Sequence, residues 1–264
     1  MTSGNSDEIL NGKTLDKNSN YFAKYCFEQG IDLKRIEVVP DEEGDIVEAS
    51  RRMVQKYDFV ITSGGIGPTH DDITYESLAK AFHQPLVHHK ETLHRMVEMS
   101  KHRSWVTQQT EEQKVARERM ALFPESAEVL YTARDIWVPV VRLEGKLCIF
   151  PGIPSLFQKM LDGITPYLPL PPANHRPFRQ QIFTSQPESS IAPFLTALHN
   201  RVKNEGIRVG SYPLFAKGVY VSLIGQDAKR VLEIAAEVEA GIQGKLVSED
   251  EVNEAKSMKE KLWP

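Results

Sequence analysis

The chain has 264 residues, 41% hydrophobic and 26% charged, with a formal net charge of −4. That size accommodates one large or two modest globular domains. The mild acidity gives no electrostatic footprint for nucleic acid, and no apolar run approaches the ~20 residues that cross a bilayer.

Two cysteines, Cys26 and Cys148, sit in apolar contexts without metal-ligand spacing. They read as buried free thiols in a reducing compartment. The polar opening, residues 1–6, lacks the apolar core of a secretory signal. A cytoplasmic location is expected.

In chain order, Asp7 and Glu8 form an acidic pair at the start, either a helix-start pair or ligands. Residues 18–29 predict a helix with Tyr21, Phe22, Tyr25 and Cys26 on one face, stopped by Gly30. Residues 36–39 predict a strand, 40–45 a loop and 46–56 an amphipathic helix. The aromatic and β-branched run 57–61 predicts a buried strand, and 75–82 a helix. This β-α-β-α order predicts an α/β fold, a mostly parallel sheet with helices on both faces. Ligands bind at the carboxyl ends of such strands. Asp41, Asp71 and Asp72 follow strands and are expected at that rim.

Between that last strand and helix runs Ser63-Gly64-Gly65-Ile66-Gly67-Pro68-Thr69-His70-Asp71-Asp72-Ile73-Thr74. Glycines let the backbone approach a ligand, and helix-start N–H groups attract anions. The loop lacks the Lys-Ser/Thr end of a P-loop and the spacing of a dinucleotide fingerprint. Its adjacent carboxylates repel a phosphate unless a cation lies between them. The pattern points to a metal-assisted site for a phosphorylated ligand. It equally fits a tight turn with Asp72 or Thr74 capping the helix.

Residues 90–121 predict two helices broken near Ser104 and Trp105. His88, His89, His94 and His102 fit no standard metal site and read as a solvated face. Strands are expected at 129–131, 137–141 and 146–150. Pro151-Gly152-Ile153-Pro154 then leads into a helix at 155–162, a second strand-turn-helix element for the same rim. The proline-dense stretch 168–177 reads as a semi-rigid linker. A β-α-β-β-α order beyond it predicts a small C-terminal α+β domain. The expected division is 1–168, a linker at 169–178, 179–246, and a charged helical tail at 247–264.

Asp7-Glu8-Ile9-Leu10, Pro40-Asp41-Glu42, the 64–74 loop and Phe150-Pro151-Gly152-Ile153-Pro154 occur in the order seen in molybdopterin-binding-like domains. Arg119-Met120-Ala121-Leu122-Phe123-Pro124 and Gly210-Ser211-Tyr212-Pro213 narrow the likeness. The chain resembles competence-damage-inducible A proteins and, more closely, the N-terminal half of eukaryotic FAD synthetases, over roughly residues 6–225. That resemblance implies metal-dependent hydrolysis of FAD to FMN and AMP. The bacterial relatives imply ADP-ribose pyrophosphatase chemistry, and the more distant molybdenum-cofactor enzymes imply molybdopterin. Their paired functional aspartates map onto Asp41 and Asp72. The serine-glycine-glycine nucleotide motif of the synthetase half is absent from this sequence, so FAD synthesis is not expected.

The resemblance sets the expected site. Asp41 and Asp72 are catalytic, one of them orienting or deprotonating a water. Mg²⁺, Mn²⁺ or Co²⁺ is held by some of Asp7, Glu8, Asp41, Asp71 and Asp72. Ser63, Gly64, Gly65, Gly67, Pro68, Thr69 and Thr74 receive the phosphates, with Pro151, Gly152 and Pro154 on the opposite wall. A nucleotide- or pterin-binding protein without turnover is the alternative, and a homo-oligomer is possible. Family members carry an apolar strand before the acidic motif and a glycine where this chain has Ser6. Residues 1–6 are too polar for such a strand, so a natural start further upstream is expected.

Overall fold

The computed structural model describes residues 6–214, 217–248 and 251–252. The opening residues and nearly all of the expected helical tail lie outside the described residues. The chain divides into two compact units: residues up to Cys26 with Leu33–Pro169, and Phe27–Asp32 with residues from Leu170 onward. The division falls in the proline-dense stretch, between Pro169 and Leu170, and residues 27–32 group with the second unit.

The first unit begins with α1 (Ser6–Leu10), most of α2 (Lys17–Gln29) and α3 (Glu43–Lys56). It continues through β1 (Val60–Ser63), α4 (Thr74–Ala81), β2 (Leu86–His88), α5 (Lys90–Ser100) and α6 (Glu111–Glu118). It closes with β3 (Leu122–Pro124), β4 (Glu128–Leu130), β5 (Val140–Leu143), β6 (Leu147–Phe150) and α7 (Pro154–Ile164). The four-stranded sheet runs β1-β6-β5-β4. β1 is buried throughout, as its apolar run predicts. Ile46, Ala49 and Met53 of α3 and Leu78 of α4 pack into the same core as Leu147 and Ile149. Phe157 of α7 meets Phe150 edge to face, ring centroids 5.4 Å apart.

The α/β assignment holds, but the parallel majority does not. Only β1 with β6 is parallel; β5 with β6 and β4 with β5 are antiparallel. The cause is the turn after Leu143. Glu144 and Gly145 take positive φ of 51° and 67°, and Lys146 N–H donates to the Leu143 carbonyl at 3.0 Å. Positive φ at both central positions makes a tight hairpin, which forces an antiparallel pair. The expected strand at 36–39 reduces to a single bridging residue, Val38, in an extended segment.

β2 and β3 pair antiparallel, with His88 opposite Leu122. They clasp an excursion of α5, a 3-10 turn (Ser104–Gln108) and α6, broken where the sequence predicts. His89 caps the start of α5: its Nδ1 accepts the Thr92 N–H, 3.3 Å.

The second unit contains β7 (Phe178–Thr184), α8 (Glu188–Val202), β8 (Arg208–Leu214), β9 (Gly218–Gly225), α9 (Ala228–Gly241) and β10 (Lys245–Val247). Its sheet is antiparallel in the order β10-β7-β9-β8. Leu195 and Leu198 of α8, and Val231 and Ile234 of α9, pack on Val221 and Leu223 of β9. Phe27 belongs here because the Arg179 guanidinium lies over its ring, 3.9 Å from the centroid.

Candidate active site

β1 ends at Ser63, and the chain then turns through Gly64 and Gly65 at φ of 104° and 64°. Glycine takes those angles without a Cβ penalty. Gly64 N–H donates to the Phe150 carbonyl at the end of β6, 2.9 Å. Thr74 N–H donates to the Gly65 carbonyl at 2.9 Å, and its hydroxyl to the Gly64 carbonyl at 3.0 Å. The loop is therefore closed at a buried neck and exposed only at residues 68–71. Two expectations are corrected here. The Gly64 N–H is spent on Phe150, not on a phosphate, and the Thr74 hydroxyl is spent inside the neck. Side-chain capping fails too: Ile73 precedes α4 and no side chain caps it.

A second tie comes from α2. Asn18, 7% exposed, donates through Nδ2 to Ser63 Oγ and to the Gly152 carbonyl, both at 2.8 Å. The Ser63 hydroxyl donates in turn to the Pro151 carbonyl at 3.3 Å. The ends of β1 and β6 are thus joined as expected, by a residue absent from the expected site. The available signal was a polar residue in the i, i+4, i+7 apolar stripe it shares with Phe22 and Tyr25.

At the tip, Asp72 Oδ2 accepts the Thr69 N–H at 3.0 Å and the Thr69 hydroxyl at 2.5 Å. A Cβ on Gly67 would stand 2.5 Å from that same oxygen, so glycine is what admits the carboxylate. Hydrogen bonding from Thr69, then from its own backbone, with His70 nearby, holds the Asp71 carboxyl below the usual range. Arg119, from the 119–124 phrase, donates to the Thr69 carbonyl at 3.5 Å and pairs with Glu76 at 3.0 Å.

The remaining expected ligands disperse. Glu8 pairs with Lys13 at 2.8 Å, Asp7 is exposed on α1, and Asp41 is half-buried ahead of α3. Among the described residues no three His, Cys, Asp or Glu side chains are arranged to hold a metal ion. The five acids do not assemble a cage: the adjacent pairs Asp7–Glu8 and Asp71–Asp72 and the single Asp41 sit on three separate segments.

The loop touches cavities of different size. One of about 20 Å³ is lined by Gly67, Asp72, Tyr75 and Arg119. Another, about 790 Å³, starts at Pro68 and Thr69 and is walled by Trp105, Arg117 and Trp137. Asp41, Pro151, Gly152 and Pro154 line neither.

Comparison with known proteins places this geometry. Residues 5–170 match the family described as "Probable molybdopterin binding domain". The chain belongs to the molybdopterin-binding domain family. Residues 176–251 match "FAD synthase, middle domain", so this molybdopterin-binding domain is followed by a second matched one. A "Probable FAD synthase" of Caenorhabditis briggsae is 30% identical over 220 residues, covering 78% of this chain and 42% of that protein. The chain thus spans less than half the length of that relative. "Protein PH0439" of Pyrococcus horikoshii is 32% identical over 247 residues, covering 90% of this chain and 92% of that protein. The structure of "the protein CinA with unknown function from Thermoplasma acidophilum" superposes with a TM-score of 0.53 at 28% identity, covering 63% of this chain and 94% of that one. The expected likeness to molybdopterin-binding, CinA and FAD synthase proteins is therefore shown. No helix among the described residues is long and apolar enough to cross a membrane.

Proposed function

We propose that the chain hydrolyses a nucleotide diphosphate bond, converting FAD to FMN and AMP with the help of a divalent metal. One observation carries the reading: Asp72 is held at the loop tip, against Gly67, by two hydrogen bonds from Thr69, which itself lines the larger cavity. Support for the substrate comes from the FAD synthase names of the second matched domain and of the Caenorhabditis relative.

The donor set fits a shared cation better than a caged one. Mg²⁺-type ions are commonly held by one or two carboxylates together with substrate phosphate oxygens. Asp71 and Asp72 would supply the carboxylates. When bound, the metal would screen their charge from the diphosphate and acidify a bound water. The protein's part is positional. Asp72 orients a water and accepts its proton as the water oxygen attacks phosphorus. The P–O–P bridge breaks, and the leaving phosphate carries the bridging oxygen away.

The test is incubation of the full chain with FAD and Mn²⁺ or Co²⁺, with FMN and AMP as products. D72N is expected to lose about 10²-fold or more of the turnover, and D41N less, since Asp41 lines neither cavity. Near-normal turnover in D72N removes Asp72 from catalysis. The competing reading is a pterin- or nucleotide-binding protein in which Asp72 only braces the loop, favoured by its two bonds to Thr69. Absence of FMN and AMP with wild-type protein selects it.

A further inference from the structure

The 790 Å³ cavity lies wholly within the first unit and beside the loop tip. Its volume falls within the range of about 300–1,000 Å³ typical of small-molecule sites. Two of its walls are indoles. Trp105, on the 3-10 turn, is 48% exposed, an unusual cost for so large an apolar ring unless something covers it. Trp137 comes from the segment before β5 and lines the same space.

The Trp105 wall is held in place. The Arg117 guanidinium lies 5.4 Å from its ring centroid. Arg117 is itself fixed by the Met96 carbonyl at 2.9 Å, Gln109 Oε1 at 3.2 Å and the Ser100 hydroxyl. The charge balance at the cavity is positive. Arg103 and Arg117 both line it, while its carboxylate, Asp135, is paired with Lys159. An apolar aromatic slot with cationic edges, opening onto the Thr69 that holds Asp72, suits a flat ring tethered to an anionic group.

We infer that this cavity binds the planar heteroaromatic ring of the nucleotide substrate, stacked on Trp105 and Trp137, with the diphosphate directed toward Thr69 and Asp72. This rests on the hydrolase reading for the direction of the diphosphate, but not for ring binding. The ring belongs either to the flavin or to the adenine end, and the two are separable by experiment.

The test uses ring-only probes that carry no diphosphate, so turnover cannot enter. Riboflavin is titrated into the full chain by quenching of its own fluorescence, and adenosine by calorimetry. At least one should bind. W105L and W137L should each weaken that probe about tenfold, since a base stacked on an aromatic side chain is worth ~1–3 kcal/mol. W105F should recover most of the loss. Riboflavin binding assigns the flavin end to the cavity, and adenosine binding the adenine end. Failure of both probes overturns the inference, as does binding indifferent to W105L, or a W105L loss that W105F does not relieve. A protein that binds a probe in this way yet releases no FMN from FAD fails the hydrolase reading alone.

Discussion

The two units handle buried polar groups differently. In the first, Asn18 Oδ1, Thr62 Oγ1, Tyr75 OH, Ser77 Oγ and Thr132 Oγ1 are buried without a hydrogen-bond partner. None of the second unit's described side chains joins them; its buried Thr184 hydroxyl donates to the Ile242 carbonyl at 2.8 Å. An unmade buried hydrogen bond costs ~1–3 kcal/mol. The first unit tolerates that cost around the β1–α4 loop, where Asn18, Thr62 and Tyr75 lie. The unpaired groups thus gather in the first unit, around the loop proposed as the site.

Four experiments break or sharpen that contrast. Leu223 is fully buried in the second unit, so L223A should lower stability by about 2–5 kcal/mol, read as a shifted denaturant midpoint. If FAD turnover, assayed well below the unfolding transition, drops with it, the contrast between the units fails. G67A is the converse test. Its Cβ must displace Asp72, and a misplacement of about 1 Å can cost ~10²-fold in turnover, with little change in melting temperature. A large loss of stability in G67A would make the loop a packing element like any other.

The thiols probe burial in the first unit directly. Burial pushes the Cys26 and Cys148 thiols up to about 12. At pH 8 neither should react with a thiol reagent in the folded chain, and both should react once it is denatured. Rapid labelling of the native protein would show that the core around α2 and β6 opens. The smallest effect belongs to Glu37. Hydrogen bonds from Arg52, then Arg35, hold its carboxyl below the ordinary 4.5. A depressed folded-state value means the pair stabilises above that ordinary value and loses its contribution as pH falls through the lower, folded one. E37Q should therefore cost no more than ~1 kcal/mol at pH 7, with the difference vanishing in acid.

The sequence shows most of the elements and part of the site. Strand-loop-helix at 57–82 and strand-turn-helix at 146–162 are legible because Gly and Pro punctuate apolar runs. The antiparallel character of β5 and β6 was legible in principle from Glu144-Gly145, but a hairpin signal that weak is easily read through. β2, β3 and β10 are three-residue strands, too short for a period-2 pattern to emerge. In the loop, the glycines and the paired aspartates were legible from the residues, whereas the role expected of Asp72 came from the resemblance. Asn18 was not legible, since it sits where a helix stripe calls for an apolar residue. The dispersal of Asp7, Glu8 and Asp41 is likewise tertiary: a motif fixes residue order, not the distance between elements.

The β2–β3 clasp has an evolutionary corollary. Because His88 and Leu122 sit side by side, the whole stretch between them is a looped-out cassette that leaves and re-enters the body at one point. Insertions or deletions confined to residues 90–118 spare the strand pairing, the Thr69–Asp72 bonds and the Arg119 contact with Thr69. A lineage built on this plan is free to change the surface this stretch presents while keeping the loop that holds Asp72.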